Sequence, residues 1–565
     1  MSERIAPQRI WLEAAGVFVG ALAILLTLGP NAPFTKELGV CESGAVRDVL
    51  AGNIILPHFI PGPMVHVPPL YWWISAILVR LLGWGEMAFR LPALVPAALT
   101  CAIIYGWAAA RLSREAALWG AVVLLFGHFF IDAARQPRMD SMLAMFVTAA
   151  ATALERALAT RRLTWFVTAM LMIGLGCLTK GILGIALPGV AVAFYLLIRG
   201  RFAELFRLDL IATFVAGVTI GLTWYLAGYV IAGNRFLQWQ IGMNLWSRFI
   251  PAEAGGANYC VHPIWYFVPQ ILVALLPWSL FLPALAFEMW PRHRARLPEP
   301  VVYAGAWFVA VFLCFSLSRG KCQVYILPAV PPLAILIGWA IARASADAPQ
   351  PDGLRRLFTA GAVTTGLGAT LQALGAIALI RYGLPANLPI ELHPTDRRLI
   401  DIFQSLAASR HYGVLNWIVL SLIGSLVILR GVWRQSPAFQ AFGVLLIAVA
   451  GARFWFGVMN PALADHETLK LFAAEVMDVV PLNAAIGHLG IEDCGLYFYS
   501  PRPIEPIFQF RCDAQPPLPP YLIIRKRRFD AMPAEQRACL TPVLISDAVD
   551  GQGPRLLLQQ RTIHR

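Results

Sequence analysis

The chain has 565 residues, of which 58% are hydrophobic and only 14% charged. Soluble domains carry about 25% charged residues, so the composition excludes an ordinary soluble enzyme and points to a polytopic α-helical membrane protein. The formal net charge of +13 does not indicate a nucleic-acid partner, because the basic residues are spread over short loops between apolar runs rather than gathered on one face.

In chain order, runs long enough to cross a ~30 Å hydrocarbon core start near residues 11, 90, 115, 141, 163, 182, 209, 264, 301, 325, 357, 413 and 437. They predict about 13 spans. The first run, from about Trp11 to Leu28, lacks a small-residue cleavage site and is expected to be retained as a span. Arginines fall in alternate loops: Arg4 and Arg9, Arg111 and Arg114, Arg161 and Arg162, Arg199 to Arg207, Arg292 to Arg296, Arg355 and Arg356, Arg430 and Arg434. By the bias of basic loops toward the cytoplasm, that set faces inward and the intervening loops face out.

The outward set includes loops 31–89 and 232–263. Residues 1–460 are expected to form the membrane domain. Residues 461–565 are expected to form a soluble periplasmic α/β domain, because apolar runs there shorten to strand length: AAIGHLG, GLYFYS, PYLIIRKR, TPVLIS and RLLLQQ. Proline-rich connectors such as PRPIEP and QPPLPP separate them. No GxGxxG or GxxxxGK[ST] motif occurs in a strand–helix context, so a nucleotide donor is not expected. Of the nine cysteines, Cys101, Cys177 and Cys314 fall in apolar runs as packing residues. Cys494 and Cys512 are available to pair with each other in an oxidising compartment.

The chemistry-bearing residues collect on the outward side. Glu42, just after the first span, is the leading candidate for accepting a proton from an incoming hydroxyl. Asp140 is a second carboxylate, acting as base or as an orienter of Arg138; the plainer alternative is a helix-start acid paired with an arginine. Arg138, Lys180, Arg319 and Lys321 lie at helix ends on the side that should be poor in positive charge, where they suit a lipid phosphate or simply reach for the interface. Tyr71 and Trp72, after a proline pair, are expected at the water–lipid boundary facing an acceptor. His66 and His262, with Glu42, form a weak candidate site for a divalent metal, although no local ligand spacing demands one.

The order of motifs resembles the GT-C class of membrane glycosyltransferases, in the branch containing the lipid A aminoarabinose transferase and the protein O-mannosyltransferases. The matching residues are CE at 41–42, VPPLYWW at 67–73, RLP at 90–92, RMD at 138–140 and LTKG at 178–181. RF at 248–249, HPIWYF at 262–267, LPW at 276–278 and SRGKCQVYILP at 318–328 complete the series. The resemblance covers most of the chain. It implies a polyprenyl-phosphate-linked sugar as donor, a lipid or glycan acceptor at the periplasmic face of the bacterial inner membrane, and no nucleotide or redox cofactor. It also implies donor-phosphate roles for Arg138, Lys180, Arg319, Lys321 and Tyr325, and an interface role for Arg248 beside Tyr71 and Trp72. The chain departs from the pattern in three places. Cys41 stands where the family has an acid, Val67 where it has a lysine, and His66 where it has another acid. A transporter or flippase, or an inactive scaffold, remains the alternative from a different class.

Overall fold

The computed structural model describes residues 7–35, 38–58, 67–240, 261–290, 297–346, 351–384, 394–490, 493–512, 518–546 and 553–561. His66 and Arg248 lie outside them.

Ten helices are long and apolar enough to cross a membrane, and twelve spans result if two bent pairs each count as one. The pairs are Arg114–Leu125 with His128–Arg135, bent by 60°, and Phe267–Ala274 with Trp278–Glu288, bent by 106°. The expected thirteenth, near residue 182, is the helix Leu183–Ile198, which has 16 residues. At 1.5 Å per residue it falls several ångströms short of a ~30 Å core, so ten to twelve of the expected 13 spans meet the length criterion among the described residues.

Close helix packing depends on small residues. A Cβ on Gly338 would lie 2.3 Å from the backbone nitrogen of Gly120. The helices Arg114–Leu125 and Val330–Ser345 therefore touch backbone to backbone, as small-residue seams allow in membranes.

Ion pairs join the loops within each of the two sets. In the arginine-rich set, Arg111 meets Glu155 at 2.6 Å, Arg161 and Arg201 each meet Glu204 at 2.6 Å, and Arg114 and Arg199 pair with Glu13 and Glu299. In the other set, Lys470 meets Glu86 at 2.9 Å, Arg398 meets Glu467 at 3.2 Å, and Asp140 collects Arg138 and Lys180.

The C-terminal region forms a five-stranded sheet of β1 (Ile486–Leu489), β2 (Ile504–Ile507), β3 (Tyr521–Arg525), β4 (Leu540–Ile545) and β5 (Arg555–Gln560). Their order in the sheet is β2-β1-β3-β5-β4. β1 is parallel to β2 and β3, while β5 is antiparallel to β3 and β4. Two sequence expectations are corrected here. The run GLYFYS belongs to a helix, Cys494–Tyr499, and the connector PRPIEP supplies part of β2. Parallel strands need a crossover between them, and the segment between β1 and β2 is that crossover. The helix Lys470–Val479 packs on the same face, through Phe472 and Val476 against Ile486, Leu496, Ile523 and Leu557.

The cysteine pairing is also corrected. Cys494 bonds to Cys41 and Cys512 bonds to Cys539. Cys494 faces the loop after the first span, so a partner 453 residues away is nearer in space than Cys512. Cys101, Cys177 and Cys314 are free. Non-reducing peptide mapping should recover the 41–494 and 512–539 peptides cross-linked; a 494–512 peptide would contradict this arrangement.

Candidate functional site

Local sequence fixes each side chain of the site. Glu42 ends the short 3-10 helix Leu38–Glu42 and begins the helix Ser43–Leu50, yet its side chain makes no capping bond. Asp140 opens the helix Asp140–Thr160, where a carboxylate is favoured by unpaired N–H groups and the dipole. Lys180 closes the helix Leu163–Lys180. The chain must stop there because Gly181 has φ +61, and a Cβ at that position would sit 2.6 Å from the Tyr225 hydroxyl. Tyr325 lies in the 3-10 turn Gln323–Ala329 ahead of the span Val330–Ser345. Trp72 lies in the first turn of Leu70–Leu82, directly after Pro68 and Pro69.

These elements bring the two carboxylates into one site with different surroundings. Asp140, 4% exposed, accepts from the Lys180 ammonium on Oδ1 and has Arg138 Nε 3.2 Å from Oδ2. The same ammonium lies 5.0 Å from the centre of the Tyr325 ring, a cation–π separation. Glu42 is partly buried and receives the Trp72 indole N–H at 3.2 Å. No cation pairs with it among the described residues. Burial pushes the Glu42 carboxyl up to about 7, against the opposing fields of Arg138 and Lys180 and assisted by that of Asp140. Two carboxylates in one site with such unlike environments can divide the work of anchor and base.

The remaining candidates fall in three groups. Tyr71 and Trp72 are 2% and 0% exposed, which corrects their expected place at the interface. The Tyr71 hydroxyl donates to the Phe89 carbonyl at 2.9 Å, and Trp72 serves Glu42; buried ring N–H and O–H groups need such partners. Lys321, 4% exposed, donates to the His262 carbonyl at 2.9 Å, and burial lowers its pKa. Arg319 beside it is exposed. His262 is exposed and stacks on Tyr266 with ring centres 4.1 Å apart. No group of three or more His, Cys, Asp or Glu suited to a metal occurs among the described residues.

Sequence reading missed several residues that shape the site. Arg90, 3% exposed, donates to the carbonyls of Pro30 (2.8 Å) and Arg135 (2.9 Å) and lies over the Phe34 ring. It thereby clips the loop after the first span to the helix His128–Arg135. The RLP motif was its only signal. Arg47 donates to the Ser500 carbonyl at 2.8 Å, and the Cys41–Cys494 bond adjoins Glu42. Val67 packs in the apolar cluster that holds Trp72 and Cys41.

Residues 66–227 match the family described as dolichyl-phosphate-mannose-protein mannosyltransferase. A Proteus mirabilis protein named undecaprenyl phosphate-alpha-4-amino-4-deoxy-L-arabinose arabinosyl transferase 2 is 28% identical over 352 residues, 61% of each chain. The Edwardsiella ictaluri transferase of that type is 28% identical over 417 residues, covering 72% of this chain and 70% of its own. The chain thus spans about three fifths of the length of the Proteus relative. ArnT from Cupriavidus metallidurans, solved bound to undecaprenyl phosphate, superposes with a TM-score of 0.74 at 21% identity, over 97% of this chain and 98% of its own.

The fold is therefore that of a GT-C class membrane glycosyltransferase: a multi-pass helical bundle carrying a small C-terminal α/β unit. By sequence, the chain resembles the dolichyl-phosphate-mannose-protein mannosyltransferases and the aminoarabinose transferases.

The ion triad ranks its own variants. Lys180→Met leaves Asp140 with Arg138, whereas Asp140→Asn leaves two cations facing each other in a buried site. Removing one partner of a buried pair costs about 3–5 kcal/mol. Asp140→Asn should therefore lower the thermal unfolding midpoint more than Lys180→Met, and the double variant should recover part of the loss. The reverse order would contradict this account of the triad.

Proposed function

We propose that the chain is a glycosyltransferase that moves a sugar, a pentose in the nearest reading, from a polyprenyl-phosphate donor to a lipid A-like or other envelope acceptor. In this reading the protein sits in the bacterial inner membrane, with the Glu42–Asp140–Lys180 end and residues 461–565 in the periplasm. The observation that carries it is the pairing of Glu42, a carboxylate with no cation partner among the described residues, with a cation-rich anchor built on Asp140. The named activities of the Proteus and Edwardsiella relatives, and the undecaprenyl phosphate bound by the Cupriavidus protein, agree with it.

The chemistry follows from the charges. The bond between the sugar's anomeric carbon and the phosphate oxygen breaks, and the phosphate leaves with the electron pair. The acceptor oxygen bonds to the anomeric carbon and gives its proton to Glu42. Lys180 spends one of its three N–H donors on Asp140, leaving two for phosphate oxygens. Arg138 engages Asp140 through Nε, leaving its terminal nitrogens for the same anion. Charge on the leaving phosphate is met by groups already in place, which is how preorganised sites stabilise a transition state. Arg319 and Lys321 sit on the loop before the Tyr325 turn and add positive charge from another element.

The direct test is transfer of radiolabelled sugar from undecaprenyl phosphate-4-amino-4-deoxy-L-arabinose to lipid A by the purified, reconstituted chain. Labelled lipid A supports the proposal. Label that crosses the bilayer but stays on the carrier would support a flippase instead.

Two kinetic outcomes follow. Glu42→Gln should leave the protein folded and reduce transfer by ~10²-fold or more, the scale of a general base. The base works as the carboxylate and its pKa lies near 7. In the wild type kcat/KM should therefore be flat above that pH and fall as pH drops through it. An acid limb near 4.5, the ordinary carboxyl value, would show that the base is a solvated group instead. Arg319→Ala should weaken donor use through KM with little change in acceptor KM; a change confined to the acceptor would remove Arg319 from the donor side.

A further inference from the structure

Glu42 occupies the junction of two short helices and anchors nothing by itself, so its place depends on what holds residues 34–50. The C-terminal segment 494–500 supplies four of those attachments. Cys494 is bonded to Cys41, the residue before Glu42. The Ser500 carbonyl accepts from Arg47 at 2.8 Å, and the Tyr499 hydroxyl accepts from the Phe34 backbone N–H at 2.7 Å. Phe498 meets Phe34 edge to face at 4.9 Å.

That segment is itself fixed by a buried charge cluster. Asp493, 4% exposed, directly precedes Cys494. Its carboxylate accepts from Arg555 at 2.6 and 3.1 Å and from Arg525 at 3.0 Å, and lies 3.3 Å from His488 Nε2. The hydrogen bond with His488 and the two guanidiniums hold the Asp493 carboxyl well below the usual range even though burial opposes it. His488 also meets the Tyr497 hydroxyl at 3.1 Å. One carboxylate is therefore pinned by β1 through His488, β3 through Arg525 and β5 through Arg555. Three strands hold Asp493, Asp493 continues into Cys494, and Cys494 is bonded to the neighbour of the base.

We infer that the C-terminal sheet is a working part of the active site, with Cys41, Cys494 and Asp493 as positioning residues that hold Glu42 against Trp72. The inference rests on the reading of Glu42 as the base. It gives Cys41 a purpose of its own, as one half of a strut to the sheet. The strut is covalent, so the geometry of the base is sensitive to reductant, unlike a site held by packing alone.

Among the described residues, the groups that face Glu42 are Asp140 from the start of one helix with Arg138 just before it, Lys180 from the end of another, and Tyr71 and Trp72 from the helix Leu70–Leu82. None of them belongs to the disulfide or to the segment 494–500. Loss of the strut is therefore expected to let water reach the Glu42 carboxyl and move its titration toward the ordinary value.

The test uses full-length reconstituted enzyme with undecaprenyl phosphate-4-amino-4-deoxy-L-arabinose and lipid A, in two formats. In the first, Cys41→Ala/Cys494→Ala is compared with Cys512→Ala/Cys539→Ala, which removes a bond confined to the C-terminal unit. In the second, the folded Cys512→Ala/Cys539→Ala enzyme is reduced in steps, and alkylation with mass mapping reports when the 41–494 bond opens. This format does not depend on the first variant folding. Opening the bond should lower kcat by ~10–100-fold, the scale of a small misplacement of a catalytic group. Donor KM should change far less, and the acid limb should shift down from about 7 toward 4.5. The 512–539 variant should keep the wild-type kcat and pH profile. An open 41–494 bond with unchanged kcat and acid limb, in an enzyme that Glu42→Gln inactivates, would overturn the inference while leaving the base in place. Full turnover by Glu42→Gln would instead overturn the reading beneath it.

Discussion

Asp140 sits buried between the ammonium of Lys180 and the guanidinium of Arg138, and the layout of the site depends on that contact. A buried charge without a partner is costly. Three charged groups at two helix ends therefore stay in a hydrophobic bundle only by meeting one another. Once they do, neither cation is committed to Glu42, whose only hydrogen-bond donor among the described residues is an indole N–H. One carboxylate gathers positive charge for an anion, and the other remains available to take a proton.

The fold supplies these positions from separate parts of the chain. Gly181 stops one helix so that Lys180 stands at its last turn, and the start of the next helix presents Asp140 across from it. Arg90 fastens the loop after the first span to the helix ending at Arg135. The sheet closes the arrangement from outside through Cys494 and Arg47. A site assembled from helix ends keeps rigid elements behind each group, which favours precise placement over adaptability.

Much of this was legible in the sequence, and the exceptions have physical causes. Span positions follow from apolar-run length, so each expected start has a helix near it. The difference between 13 expected spans and twelve by length is Leu183–Ile198, whose 16 residues are apolar but short. Motif order brought Glu42, Arg138, Asp140, Lys180 and Tyr325 forward, because charges at the ends of apolar runs stand out. Which cation meets which carboxylate did not follow, since that depends on packing between helices distant in sequence. Cysteine pairing failed for the same reason: Cys41 and Cys494 are remote in the chain and adjacent only in space. GLYFYS read as a strand because four apolar and aromatic residues between Gly495 and Ser500 carry no period that separates strand from helix. Tyr71 and Trp72 read as interfacial from their chemistry, but their hydrogen bonds to Phe89 and Glu42 are made inside.

The account stands on the claim that Glu42, and not Asp140, is the carboxylate that exchanges a proton near neutrality. Infrared difference titration of the wild type against Glu42→Gln would isolate the protonated carboxyl band of that one residue. The account predicts that this band disappears as pH rises through about 7. A band lost near 4.5, the ordinary value, would show a solvated carboxylate at residue 42 and contradict the division of roles between the two acids.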